Sequence, residues 1–227
     1  MKNNTLLKNS SNSLLESSLQ ILCSWFPEEA PQLQKYKQEI FDSIEKGTKP
    51  SAMLSTLSYA SEPLSLHKNV QSEVWNSPCV NSIMLFSFGT VCFIVGMTGL
   101  KLPATPTPND VLPLMADVAT PETYGHFREL IRIFNESESK IQKAKAIFDL
   151  GKELWGTGVF KAIFKYMADT MTWFDWATTS VKTLAQLVAW FATGGAAFAA
   201  QAVMLLVDAV SLIKSGKEVH DNCFTHS

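Results

Sequence analysis

The stretch LVAWFATGGAAFAAQAVMLLV, residues 187–207, carries no ionisable side chain over 21 positions. Extended back to Thr183, it gives 25 uncharged residues between Lys182 and Asp208. A helix rises about 1.5 Å per residue, so this run is long enough to cross a hydrocarbon core of about 30 Å with some tilt. Whether its surroundings are lipid or protein decides the fold. Its helical faces are unequal. Leu184, Val188, Phe191, Gly195, Phe198, Ala202 and Leu205 form one apolar row, while Gln186, Thr193, Gln201, Asp208, Ser211 and Ser215 recur opposite. A lone helix in lipid gains nothing by turning the second row outward. Gln186, Thr193, Gln201 and Asp208 are therefore expected to make a polar lining or interhelical contacts. The small-residue centre, ATGGAAFAAQA, sets Gly195 and Ala199 one turn apart for close helix contact, a pattern that alanine-rich helices match readily. The tail AVMLLVDAVSLIKSGKEV favours a helix continuing to about Gly216, and a bend at Gly194-Gly195 into two short apolar arms that enter a membrane together is the alternative.

A second charge-free stretch runs from Val74 to Leu100. Within it NSIMLFSFGTVCFIVGMTGL, residues 81–100, would be about 30 Å long as a helix. Its uninterrupted length favours helix over a buried strand pair turning near Gly89. Residues 102–121 follow with Pro103, Pro106, Pro108, Pro113 and Pro121, which exclude a continuous helix or central strand and mark a linker or extended arm.

Before these runs, Leu15, Leu19, Leu22 and Phe26 keep helical spacing until Pro27 and Pro31 interrupt it. Leu33, Tyr36, Ile40, Phe41 and Ile44 resume it, ending at Gly47. A short helix over SAMLSTLSYA follows, and the serine- and asparagine-rich start reads as mobile. After the prolines, Phe127, Leu130, Ile131 and Phe134, then Ile141, Ala144, Ile147, Phe148, Leu150 and Leu154, describe an amphipathic helix pair. The expected organisation is an N-terminal helical region (1–78), a hydrophobic segment (79–101), a proline-rich crossover (102–121), a C-terminal helical region (122–219) and a polar tail (220–227).

Between Gly156 and Ser180, Lys161 and Lys165 flank an apolar face of Phe160, Ile163, Phe164 and Met167, and Trp173, Phe174 and Trp176 surround Asp175. Rings that tolerate both environments, with lysines that snorkel, suit a membrane interface. Lys161, Lys165, Trp173, Phe174 and Trp176 are accordingly the expected interfacial anchors. A core helix whose tryptophans fill large gaps is the competing explanation.

Catalytic signatures are missing: no dinucleotide or phosphate-binding glycine loop, zinc-protease pair, paired-cysteine motif or nucleophile elbow occurs. His220, Cys223 and His226 in HDNCFTH have local spacing for a soft metal, but a lone cysteine without a supporting knuckle reads more simply as a polar tail. Cys23, Cys79, Cys92 and Cys223 are scattered and admit several disulfide pairings. Asn3, Asn9 and Asn135 begin glycosylation triplets, which are common by chance. With 19 basic and 21 acidic residues the net charge is −2, arguing against a dominant nucleic-acid footprint. The polar, interrupted start offers no cleavable signal peptide.

The expected fold is mainly α: a helical bundle with one or two hydrophobic, membrane-capable helices. The leading functional expectation is a non-enzymatic, membrane-located protein that assembles in or perturbs a bilayer, pore formation included, with no catalytic, cofactor or metal site. Its partners would be membrane lipids and a second copy or another helical protein. The alternative is a cytoplasmic interaction or scaffold protein with a strongly apolar core.

Overall fold

The computed structural model describes residues 2–47, 77–100, 121–206 and 209–225. The described residues form helices α1 (Lys2–Trp25), α2 (Ala30–Lys35), α3 (Lys37–Lys46), α4 (Pro78–Met97), α5 (Pro121–Glu136), α6 (Lys140–Gly156), α7 (Val159–Thr170), α8 (Trp173–Ala192), α9 (Ala196–Leu205) and α10 (Val210–Phe224). The mainly α bundle anticipated from periodicity is present. The proline-rich crossover, the short helix over SAMLSTLSYA and Asp208 lie outside the described residues. Helix α1 begins at Lys2, so the polar start read as mobile is helical backbone.

Local chemistry sets several boundaries. Pro27 stops α1, and Pro31 sits at the start of α2, where its missing N–H costs nothing. Gly47 closes α3. Ser139 caps α6 by accepting from the Ile141 N–H, and Lys143 donates to the Phe134 carbonyl at the preceding helix end (2.8 Å). Burial holds the Lys143 ammonium below its usual pKa, because desolvation penalises the charged form.

Helix α4 is the centre of the bundle. Fourteen of its 20 residues are buried, from Ser82 to Met97, and they occupy every face of the helix. Such a helix needs covering all round, whether by lipid or by other helices. Here α5, α6 and α10 supply the cover. Along α10 the register is antiparallel. Cys79 meets Cys223 in a disulfide, Phe86 lies opposite Gly216, and Gly89 lies opposite Leu212. Gly216 makes this seam fit, since a Cβ there would stand 2.7 Å from Asn135 Oδ1 and 3.0 Å from the Phe86 ring. Asn135 donates to the Gly216 carbonyl (2.7 Å), and Phe86 packs on Phe134 with ring centres 5.1 Å apart. Asn135 is thus committed to a helix contact. With 72% of its most apolar window buried in protein, α4 fits a packed bundle better than a lipid-facing span.

The second apolar run is not one helix. The expected continuation to about Gly216 is corrected by two breaks. Helices α8 and α9 meet at 114°, with Gly194 and Gly195 at positive φ (63° and 82°), and the chain breaks again before α10. Two successive left-handed residues are tolerable because both are glycine. The bend of that alternative is what forms, between a 20-residue arm and a 10-residue one. The α9 arm packs into the protein through Phe198, whose ring meets Phe148 at 5.4 Å and Trp190 at 5.3 Å. Helices α1, α2, α3 and α7 complete the other end of the bundle around α8.

Candidate binding site

A cleft of about 490 Å³ opens where the α1–α2 corner faces α7 and the start of α8. Trp25, Phe26, Pro27, Glu28 and Glu29 form one wall; Lys161, Lys165, Ala168 and Asp169 come from α7; Trp173 and Trp176 come from α8. The corner exists because Pro27 breaks the helix, which turns the two carboxylates after it towards α8. Spacing of four, three and one puts Lys161, Lys165, Ala168 and Asp169 on one stripe of α7.

The two tryptophans of α8 have different jobs. Trp176 is 1% exposed, donates its indole N–H to the Phe164 carbonyl (2.9 Å), and meets Phe26 edge-on at 5.3 Å. It fixes the floor. Trp173 is half-buried and donates to the Glu29 carboxylate (2.8 Å), joining the two walls, with Tyr36 against its ring at 5.7 Å. Lys161 stands 6.0 Å from the Phe26 ring centre. Just before Trp173, Thr172 accepts from the Asp175 N–H, and its hydroxyl donates to the Asp175 carboxylate (2.7 Å). This reciprocal cap sets where α8 starts. Thr172→Ala is expected to cost about 1 kcal/mol, read as a lower urea midpoint at unchanged m-value.

No family model, curated protein or solved structure matches this chain.

Four of the five expected interfacial anchors, Lys161, Lys165, Trp173 and Trp176, come together in the cleft. Phe174 does not line it and is exposed on α8. The expected polar row is dispersed. Gln186 is exposed on α8 and Thr193 is exposed at its C-cap, while Gln201, beyond the bend, donates to the Met97 carbonyl at the end of α4 (3.2 Å). Gly195 is buried against Phe148, and Ala199 packs half-buried on the core. Those contacts are between helices of one chain.

Cys223, weighed as a metal ligand from its spacing to two histidines, is bonded to Cys79. Among the described residues no cluster of three metal-ligating side chains forms. Sequence reasoning missed Trp25, Glu28, Glu29 and Asp169. Its usable signal was the string WFPEE, where a helix-stopping proline is followed at once by two acids.

Proposed function

We propose that the chain is a non-enzymatic helical interaction module that keeps its most apolar helix inside itself. The carrying observation is the packing of α4, 14 of whose 20 residues are buried, against α5, α6 and α10. Burying a large apolar side chain is worth roughly 1.5–3 kcal/mol, so exposing Ile83, Phe86, Phe88, Val91, Phe93 and Ile94 together to water would cost about 9–18 kcal/mol, as much as an ordinary domain's whole stability. Lipid would have to replace all of that packing. A pore is less well supported, because its would-be lining is divided by the α8–α9 bend. With a net charge of −2, the partner is expected to be a protein or small molecule rather than nucleic acid.

Hydrogen exchange with and without liposomes tests this. Amides of residues 78–97 are expected among the slowest in the protein, unchanged by lipid. Faster or altered exchange of that helix on adding liposomes, with retention in the membrane after alkaline carbonate, would overturn the reading.

One feature favours a second, narrower role at a bilayer. Met204 and Val210 are each 69% exposed and Ile213 is 44% exposed, close together in sequence at the end of α9 and the start of α10. Shallow lipid contact there would protect only peptides around residues 203–213 and leave α4 as it is.

A further inference from the structure

We propose that the cleft between the α1–α2 corner, α7 and the start of α8 binds a small zwitterion of the phosphocholine type, an organic cation and a phosphate joined by a short linker. This rests on the interaction-module reading only in requiring a closed bundle.

The cleft presents both signs of charge without cancelling them. Lys161 and Lys165 stand with Glu28, Glu29 and Asp169, and no ion pair joins any two of these five residues. Opposite charges brought to one concavity, yet left unpaired, keep both fields available to a bound molecule. A plain anion would meet three carboxylates, and a plain cation would meet two ammonium groups. A ligand carrying both signs satisfies both sets.

The order of charges along α7 gives that ligand a direction. Asp169 lies about 6 Å beyond Lys165 along the helix axis. It is the next-to-last residue of α7, where the helix dipole is already negative and a carboxylate is locally unfavourable. Local helix preference therefore does not account for Asp169 there, whereas a cation bound at that end does. At the neighbouring start of α8, the Thr172 hydroxyl occupies the Asp175 N–H, and the Asp175 carboxylate already sets a negative charge beside the helix N-terminus. Trp173 stands at the same end with its N–H already given to Glu29, so what it has left to offer is the ring surface that Tyr36 does not cover. Organic cations bind indole faces, and desolvation in a concave site strengthens the contact. Lys161 and Lys165, towards the other end of the stripe, suit the phosphate. The volume falls within the range of small-molecule sites and leaves room for a substituent.

Isothermal titration calorimetry on the full chain should show saturable binding of phosphocholine, at least tenfold tighter than choline or inorganic phosphate alone. Asp169 and Lys165 are exposed, so Asp169→Asn and Lys165→Gln should keep the wild-type melting curve. Each should weaken phosphocholine about tenfold. Asp169→Asn should reduce its advantage over phosphate, and Lys165→Gln its advantage over choline. Absence of saturation at millimolar ligand, or binding untouched by both substitutions, would overturn the proposal.

Phosphatidylcholine vesicles separate a lipid headgroup from a free ligand. Co-flotation abolished by Asp169→Asn and reversed by excess phosphocholine places the group in a lipid. Calorimetric saturation without flotation identifies a free molecule. Flotation indifferent to both substitutions counts against the cleft. Because exchange in α4 and heat of binding are separate observables, the proposal and the module reading can fail independently.

Discussion

Gly195→Ala is expected to destabilise the bundle by about 3 kcal/mol and to lower Tm by about 6–12 °C. Two costs add at this position. With φ at +82°, any Cβ raises the backbone energy by about 1–2 kcal/mol. The new carbon would also stand 2.7–2.8 Å from three atoms of the Phe148 ring. That ring has little room to retreat, being buried and packed against Phe191 and Phe198 at centre distances of 5.8 and 5.4 Å. Gly194 is the internal control. Its φ is also positive, at +63°, but a Cβ there would meet nothing within 4 Å, so Gly194→Ala should cost only about 1–2 kcal/mol. Thermal melts by circular dichroism compare the two. Equal losses would mean that the Phe148 contact contributes nothing and that backbone conformation alone matters.

The same glycine shows why the helices were legible in the sequence and their surroundings were not. Periods of three and four residues locate α3, α5, α6 and α7, because their apolar stripes face one core and their charges face water. Helix α4 has no such stripe. A helix apolar on every side is the same string whether enclosed by lipid or by protein, and only the arrangement of α5, α6 and α10 distinguishes them. For residues 187–207, hydropathy is uniform across the Gly194-Gly195 break, so the glycine pair offers a bend only as an alternative and nothing local encodes its 114° angle. The cleft was half legible. Lys161, Lys165, Trp173 and Trp176 lie close in sequence and were grouped for their aromatic and cationic character. Glu28 and Glu29 reach them from well over a hundred residues away, as the 144-residue separation of the Trp173–Glu29 hydrogen bond shows. No local period encodes that meeting. The pairing of Cys79 with Cys223 was equally hidden, since four scattered cysteines admit several connectivities.

Removing that disulfide, with Cys79→Ala and Cys223→Ala together, is expected to cost about 4 kcal/mol, or about 8–16 °C in Tm. The cysteines are 144 positions apart, and a cross-link closing so long a loop restricts the unfolded chain strongly. The double substitution avoids leaving one unpaired thiol in the seam. Reductant should lower the wild-type Tm by a similar amount and leave the double variant unchanged; a melt insensitive to reductant would show that the bond contributes nothing. The fold should persist, because Leu212, Gly216 and Val219 still bury against α4 and Arg128 still donates to the Cys223 carbonyl (2.8 Å). What changes is the ease of opening. The bond ties the start of α4 to the end of α10, the helix that covers it, so reduction loosens the seam through which α4 would be exposed. Exchange of residues 78–97 and 210–224 should therefore accelerate on reduction. The cleft is built from α1, α2, α7 and α8, and its binding of phosphocholine should hold at temperatures where the reduced bundle remains folded. Loss of binding together with faster α4 exchange would instead show that the two ends of the bundle open as one unit.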